Sequence, residues 1–433
     1  MRPFWLHNPG SYVSAALLLL LACPGFPEER PGPGLPLDER AYLAGRVYAS
    51  LAYFAHWQDV PGIDVQAAFK GYVGKAMASE DRFVFSRAMM EFLAVFRNGH
   101  TMFLNTALIK QGGSLPFEAQ FIAGKWIVTA SRVAGLNPGD VIERIDERPF
   151  EQFLVECRRF IATSTEQWAR RALFAKLPPF TPYAHLFPER FVLRLVAGRE
   201  VSVDRRAITD APAAVTEGRW IEPGKVAYVR IPSFFRPEYE KRALELVRQY
   251  SSAAVLIVDV RGNSGGSTPS GLTSLLMDRP YRWWTESTPL TFPYFRFRAS
   301  QGGWQYQPFD RPDFVWRSSE QPASKDAFKG KLALLADAGC FSACEDFTMP
   351  FKDNGRALIV GETTGGSTGQ PYTLDLGDGM TVLVGAKREM FPDGSRFEGV
   401  GIKPDVEIAP TAEDIRQGKD VVLEAARKRL AGL

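Results

Sequence analysis

This sequence predicts a multidomain α/β protein, on three observations. From Gly224 onward, short β-branched runs alternate with helical patterns, the mark of a layered α/β domain. From Leu37 to about Phe103, apolar residues recur at three- and four-residue spacing. From Leu115 to about Arg206, short alternating runs are broken by Gly and Pro. The 433 residues are 45% hydrophobic and 23% charged, enough for several cores of ordinary globular composition. The 52 basic against 49 acidic side chains leave a net charge of +3 with no dense Lys or Arg run, so no nucleic-acid partner is expected. Four His and four Cys are too few for a zinc framework, and no metal is expected either.

Residues 1–22 read as an export signal. Arg2 is the only formal charge before Glu28, and Val13 to Ala22 is an apolar run shorter than the about 20 residues that span a bilayer. The Pro- and Gly-rich stretch that follows cannot continue a helix, which makes residues 23–36 a linker. Leu20, Leu21, Ala22 and Cys23 resemble a bacterial lipobox, though Leu21 is less usual there. The expectation is export to the periplasm or cell envelope, with the chain secreted, held by an uncleaved segment, or anchored to the membrane through a lipidated Cys23.

Residues 37–108 form a predicted helical domain, with AYLAGRVYASLAYFAHW and FVFSRAMMEFLAVF separated by the break DVPGID. Residues 112–206 form a strand-rich module carrying QFIAGKWIVTASRV, VIERID, RFVLRLVAG and EVSVD. Residues 215–433 form the α/β core, in which KVAYVRI, EYEKRALELVRQY, AAVLIVDV, KLALLAD, SACEDFTMPFKDNG and ALIVGE alternate as strand and helix before a C-terminal helix.

Two places in the core carry chemistry. Gly262, Asn263, Ser264, Gly265 and Gly266 follow a buried strand, where backbone N–H groups can hold an anion or an oxyanion; neither a GxxxxGK[ST] nor a GxGxxG spacing is present. GNSGG also mimics the nucleophile surroundings of chymotrypsin-like proteases, but the helical flanks contradict two β-barrels and count against Ser264. Ser342 sits between the strand KLALLAD and a helix, where the following N–H groups and the macrodipole favour developing negative charge. It can equally be a plain N-cap, because Glu345 three residues on completes a capping box. A serine nucleophile needs a base. Of His7, His56, His100 and His185, the best placed is His100, in RNGHT just past a helix end.

AVLIVDVRGNSGGS, CFSACEDFTMPFKDNGRALIVGETTGGSTGQ and FPDGSRFEGVGIKPDVEI resemble, in order, the core motifs of the C-terminal processing peptidases and tricorn-core proteases. RNGHT resembles their upstream histidine motif. The resemblance implies a crotonase-like (ClpP/crotonase-type) α/β core and a serine endopeptidase without metal or organic cofactor, acting on peptides or unfolded proteins. It makes Ser342 the nucleophile, His100 the base and Glu398 its partner, with Gly265 or Gly266 and Ala343 donating to the oxyanion. One branch of the family uses a Lys where this chain has Ser367. The tricorn-like branch has a second Ser before its His, where this chain has Gly99, and Thr101 is a possible substitute. A non-catalytic binding protein on the same fold and an acyl hydrolase using the same site are the alternatives.

GLNPGDVIERIDERPF, from Gly135 to Phe150, resembles part of a PDZ domain, which implies peptide capture by strand addition with Gly113, Ser114 and Leu115 as carboxylate donors. A degenerate module that only packs on the core is the other reading. Cys340 and Cys344 flank Ser342 at helix-turn spacing. That spacing favours two small buried thiols over a disulfide unless Cys340 precedes the first turn.

Overall fold

The computed structural model describes residues 34–431 apart from 61, 79, 176–180, 197, 206–213, 290–312 and 318–319. The expected export signal and Cys23 lie outside the described residues.

The N-terminal part begins with α1 (Leu37–Ser50), which buries Leu43, Ala44 and Val47 at helical spacing. α2 (Val65–Met77) starts at Asp64, whose carboxylate accepts from Ala67 N–H at 2.9 Å. α3 (Arg82–Ala94) starts at Asp81, which accepts from two amides and so satisfies donors the first turn leaves open. α3 turns Phe85, Met89, Phe92 and Leu93 inward, and Phe92 meets Phe96 edge to face. A short strand, β1 (Met102–Asn105), and the one-turn-plus helix α4 (Thr106–Gly112) close this part.

The module follows as β2 (Phe117–Ile122), β3 (Lys125–Ser131), β4 (Val141–Ile145), β5 (Arg148–Pro149), α5 (Phe150–Arg158), α6 (Glu166–Ala172), β6 (Arg190–Leu195) and β7 (Glu200–Asp204). Its antiparallel sheet runs β2-β3-β4-β6-β7, with β5 paired to β4. Ala123 and Gly124 both take positive φ in the two-residue turn between β2 and β3, as such hairpins require.

The core runs β8 (Glu217–Glu222), β9 (Val226–Arg230), α7 (Pro237–Gln249), β10 (Val255–Asp259), α8 (Ser270–Leu276), β11 (Thr285–Pro289), β12 (Asp313–Arg317), β13 (Lys331–Ala336), α9 (Ala343–Asp353), β14 (Leu358–Gly361), β15 (Tyr372–Gly377), β16 (Met380–Val384), β17 (Arg388–Met390), β18 (Val406–Glu407), α10 (Ala412–Arg416) and α11 (Val421–Ala431). Its main sheet has the order β18-β14-β13-β10-β9-β8, parallel except for β8. β10 is buried along its whole length, because helices cover both faces. Leu256 and Val258 pack with Leu246, Leu272 and Phe347 of α7, α8 and α9, while Val255 and Ile257 pack with Val422 and Ala426 of α11.

Two features position the site. β10 and β13 are neighbours in the parallel sheet, so the glycine loop and Ser342 emerge side by side at their carboxyl ends. The helical part is not free-standing: β1 pairs antiparallel with β16 from Met102↔Leu383 to Asn105↔Met380. One apolar cluster joins its helices to the module and to Val382 and Val384 of the core. The segment just ahead of β1 is thereby held against the core, and that segment carries His100.

Candidate active site

Ser342 stands between β13 and α9 with φ 57° and ψ −125°, a conformation an L residue adopts only when its surroundings impose it. The surroundings are backbone hydrogen bonds from three loops. Phe341 N–H donates to Asn263 O at 3.1 Å, Ser342 N–H to Ser367 O at 3.1 Å, and Gly365 N–H to Cys340 O at 2.9 Å. Asp337 Oδ1 accepts from both Gly262 N–H (2.7 Å) and Gly339 N–H (2.9 Å), which ties the glycine loop to the nucleophile turn. Gly265 has φ 96°, and a Cβ there would come within 2.7 Å of Ser342 Cβ. Only glycine allows this approach.

Glu345 is fully buried in the first turn of α9. Its carboxylate accepts from Thr364 Oγ1, from Gly366 N–H (2.7 Å), Ser367 N–H (3.0 Å) and Ser342 N–H (3.3 Å). Burial pushes its pKa up to about 8, against the pull of those donors. The capping box expected at Ser342 is formed, with Glu345 taking the Ser342 amide, but the Ser342 hydroxyl also makes a hydrogen bond elsewhere.

It points to His100, whose Nε2 lies 2.9 Å from Ser342 Oγ. Burial, with His56 and Lys387 adding positive charge nearby, holds the His100 pKa down to about 3, so the imidazole is neutral at ordinary pH. Its Nδ1 lies 2.9 Å from Ser367 Oγ. Its ring stacks on Phe341 at 5.0 Å and 5°, and Phe341 stacks in turn on Trp168 of α6 at 3.8 Å and 7°. Both ring nitrogens are taken, leaving none for Ser264. His56 is occupied by Asp59 and by Lys387 O at 3.2 Å each, and His185 pairs with neither serine. His7 lies outside the described residues.

Glu398 is buried at the same site, and burial raises its pKa. It does not meet His100 directly. Its Oε1 accepts from Asn98 Nδ2 at 2.7 Å and from Ser164 Oγ, and Ser164 accepts from Gly99 N–H at 2.8 Å. A cavity of about 550 Å³ lies behind it, lined in part by His56, Asp59, Arg97 and Arg396.

The geometry corrects four sequence expectations. Gly265 N–H is spent on Asn263 Oδ1 at 3.0 Å, so of the three expected donors only Gly266 and Ala343 have amides without a partner among the described residues. Thr101 cannot serve the histidine: its hydroxyl donates to Asn98 Oδ1 at 2.9 Å and accepts from Gly385 N–H at 3.0 Å. The Gly113 to Leu115 loop is a poor carboxylate cradle. Gly113 N–H caps α4 on Ile109 O and Lys110 O, and Leu115 N–H donates to Thr181 Oγ1. Cys340 and Cys344 are joined in a disulfide with a Cα separation of 5.3 Å, reached because Cys340 precedes the helix.

Sequence reasoning missed Trp168, Ser164 and Asn98, which lie 174, 178 and 244 positions from Ser342, and no local pattern marks them. It met Ser367 only as the place where a lysine is absent. The buried Lys387 does not supply that base, since Glu286 (2.7 Å) and Glu389 hold it and raise its pKa.

Residues 225–408 match the family model described as Peptidase family S41. Among curated proteins, the chain is 25% identical over 274 residues to carboxyl-terminal-processing peptidase 2, chloroplastic, of Arabidopsis thaliana, covering 63% of this chain and 46% of that one. It is 27% identical over 249 residues to the carboxyl-terminal-processing protease of Synechocystis sp., covering 55% and 52%. The chain spans about half the length of the curated relatives it matches. Among solved structures, mature CPAF superposes with a TM-score of 0.65 over 91% of this chain and 95% of that chain at 18% identity, a likeness of fold.

Proposed function

From the match of residues 225–408 to peptidase family S41 and the likeness to carboxyl-terminal-processing peptidases, we propose that the chain is an exported serine endopeptidase of that family, which cleaves peptides or unfolded proteins through Ser342, His100 and Glu398. The observation that carries the reading is the 2.9 Å contact between Ser342 Oγ and a buried, neutral His100. A capping hydroxyl has no use for such a base.

Ser342 Oγ attacks the peptide carbonyl while His100 Nε2 takes its proton. The oxyanion is held by Gly266 and Ala343 N–H and by the N-terminal end of α9. His100 passes the proton to the leaving amine, and water then hydrolyses the acyl-enzyme by the reverse proton path. One such donor is worth about 3 kcal/mol in the transition state of comparable sites. The core is read as crotonase-like and residues 112–206 as a PDZ-like module that packs on it. Export is supported by the signal-like run Val13–Ala22 and by the Cys340–Cys344 disulfide, a bond that persists in oxidising compartments. The lipobox-like end at Cys23 extends this to anchoring in the cell envelope.

A fluorophosphonate probe tests the reading, with the adduct mapped by peptide mass. The wild type and Ser264→Ala are expected to be labelled at Ser342, and His100→Ala more than about 100-fold more slowly. No adduct on folded wild type, with casein and peptide esters left intact, moves the protein to a binding role. Labelling with cleavage of esters alone makes it an acyl hydrolase.

A further inference from the structure

We infer that Ser367 is a positioning residue of the reaction, a hydroxyl relay that carries the charge of Glu398 to His100. The inference rests on the peptidase reading above and adds a component to it. Ser367 is fully buried, and its backbone is fixed on both sides, with its N–H on Glu345 Oε2 (3.0 Å) and its carbonyl accepting from Ser342 N–H (3.1 Å). That holds its hydroxyl 2.9 Å from His100 Nδ1. The same hydroxyl is near enough to the Glu398 carboxylate to favour its ionised form, and Glu398 Oε2, buried, has no hydrogen-bond partner among the described residues, which leaves it open to the Ser367 proton.

The direction of the protons follows from what each group can do. Ser164 takes the Gly99 N–H on its oxygen, so its own proton goes to Glu398; Asn98 Nδ2 can only donate. Glu398 is thus surrounded by donors and acts as an acceptor. Ser367 has one proton, and the carboxylate draws it. The hydroxyl oxygen is then left to accept from His100 Nδ1–H, which fixes the neutral imidazole in the tautomer whose Nε2 lone pair faces Ser342. When Nε2 takes the Ser342 proton, the new positive charge is met at Nδ1 by a hydroxyl already polarised by Glu398. No direct carboxylate contact is needed. Gly99 belongs to this arrangement as a space: a Cβ on residue 99 would stand 2.9 Å from Ser367 Cβ and 2.7 Å from Phe341 Cζ.

The test is a double-mutant cycle on the full chain, read as kcat and KM on a peptide substrate. Ser367→Ala is expected to lower kcat about 10- to 100-fold with KM within about twofold. Glu398→Gln is expected to cost a similar factor in the wild type but less than about threefold in the Ser367→Ala background, because the path to His100 is already cut. Wild-type kcat in Ser367→Ala, or losses that multiply in the double variant, would overturn the relay. A second readout is independent of turnover: ¹⁵N imidazole spectra of Ser342→Ala are expected to show His100 protonated on Nδ1, and of Ser342→Ala/Ser367→Ala to show Nε2 protonation. The same tautomer in both also sinks the relay. Failure of the peptidase reading would look different, as wild-type protein without a Ser342 adduct, and the tautomer spectra would still judge the relay.

Discussion

The proposed nucleophile and the proposed base are held in opposite ways. Ser342 and its oxyanion loop are fixed by short-range bonds within the core: Asp337 to Gly262 and Gly339, Asn263 to Gly265, and Glu345 to the 364–367 loop. His100 sits in a small turn of its own, with its N–H on Asn98 Oδ1 and Thr101 N–H on Asn98 O at 3.1 Å each, but what sets that turn against the serine comes from far along the chain. Its position comes from β1 pairing with β16, from Asn98 reaching Glu398, and from a stack that ends in Trp168 of the module. The difference teaches that the serine turn is a property of the core fold, whereas the pairing of Ser342 with His100 is a property of how three parts dock. Variants of the first kind should damage shape and reactivity together; variants of the second should spare shape.

Gly265→Ala should have the largest effect and break the core half. The added methyl meets Ser342 Cβ and Phe341 O at 2.7 Å at a φ that L residues avoid. Turnover and Ser342 labelling are expected to fall together by about 10³-fold, with a lower melting temperature. A variant that melts earlier but labels normally would separate the loop from the nucleophile.

Trp168→Leu should probe the docking half. Losing one plate of the stack is expected to cost about tenfold in kcat with little change in KM, while Trp168→Phe keeps the plate and stays within about twofold. Equal loss in both would mean that bulk, not stacking, is what Trp168 supplies.

The smallest expected effect is on stability against pH. Because burial holds His100 near a pKa of about 3 against 6.5 in the open chain, the unfolded state binds the extra proton as pH falls. The contribution of a neutral His100 is therefore full above pH 6.5 and is lost progressively down to about 3. Between pH 7.5 and 5.5, urea unfolding of the wild type should lose about 1 kcal/mol more than that of His100→Ala, whose other titrating groups are the same. Parallel losses would mean that His100 is protonated in the fold.

The same contrast governs what could be read in advance. The core half was legible because its signals are local: an apolar strand ending in GNSGG, and a serine ahead of a helix with Glu345 three residues on. His100 stood out only as one histidine past a helix end. Its partnership with residue 342 spans 242 positions, which no periodicity encodes, and only the likeness of RNGHT to a known motif suggested it. Trp168 had no signal at all, and Ser367 only that of a missing lysine, since a buried hydroxyl and an aromatic face acquire meaning from neighbours that folding supplies. The choice between the adjacent Gly265 and Gly266 stayed open for a similar reason. Which amide is free depends on whether the Asn263 side chain turns back onto Gly265.

The stacked rings of Trp168, Phe341 and His100 make the site a conjunction. One ring comes from the module, one from the residue before Ser342 and one from the N-terminal part, so no single region of the chain contains all of the proposed catalytic groups. On the proposed mechanism, a chain in which the serine turn had formed with no imidazole beside it would lack its base and would be harmless to its own exposed backbone and to its neighbours. Cleaving power by that mechanism requires all three rings in place, and separating the plates would withdraw it without touching the serine.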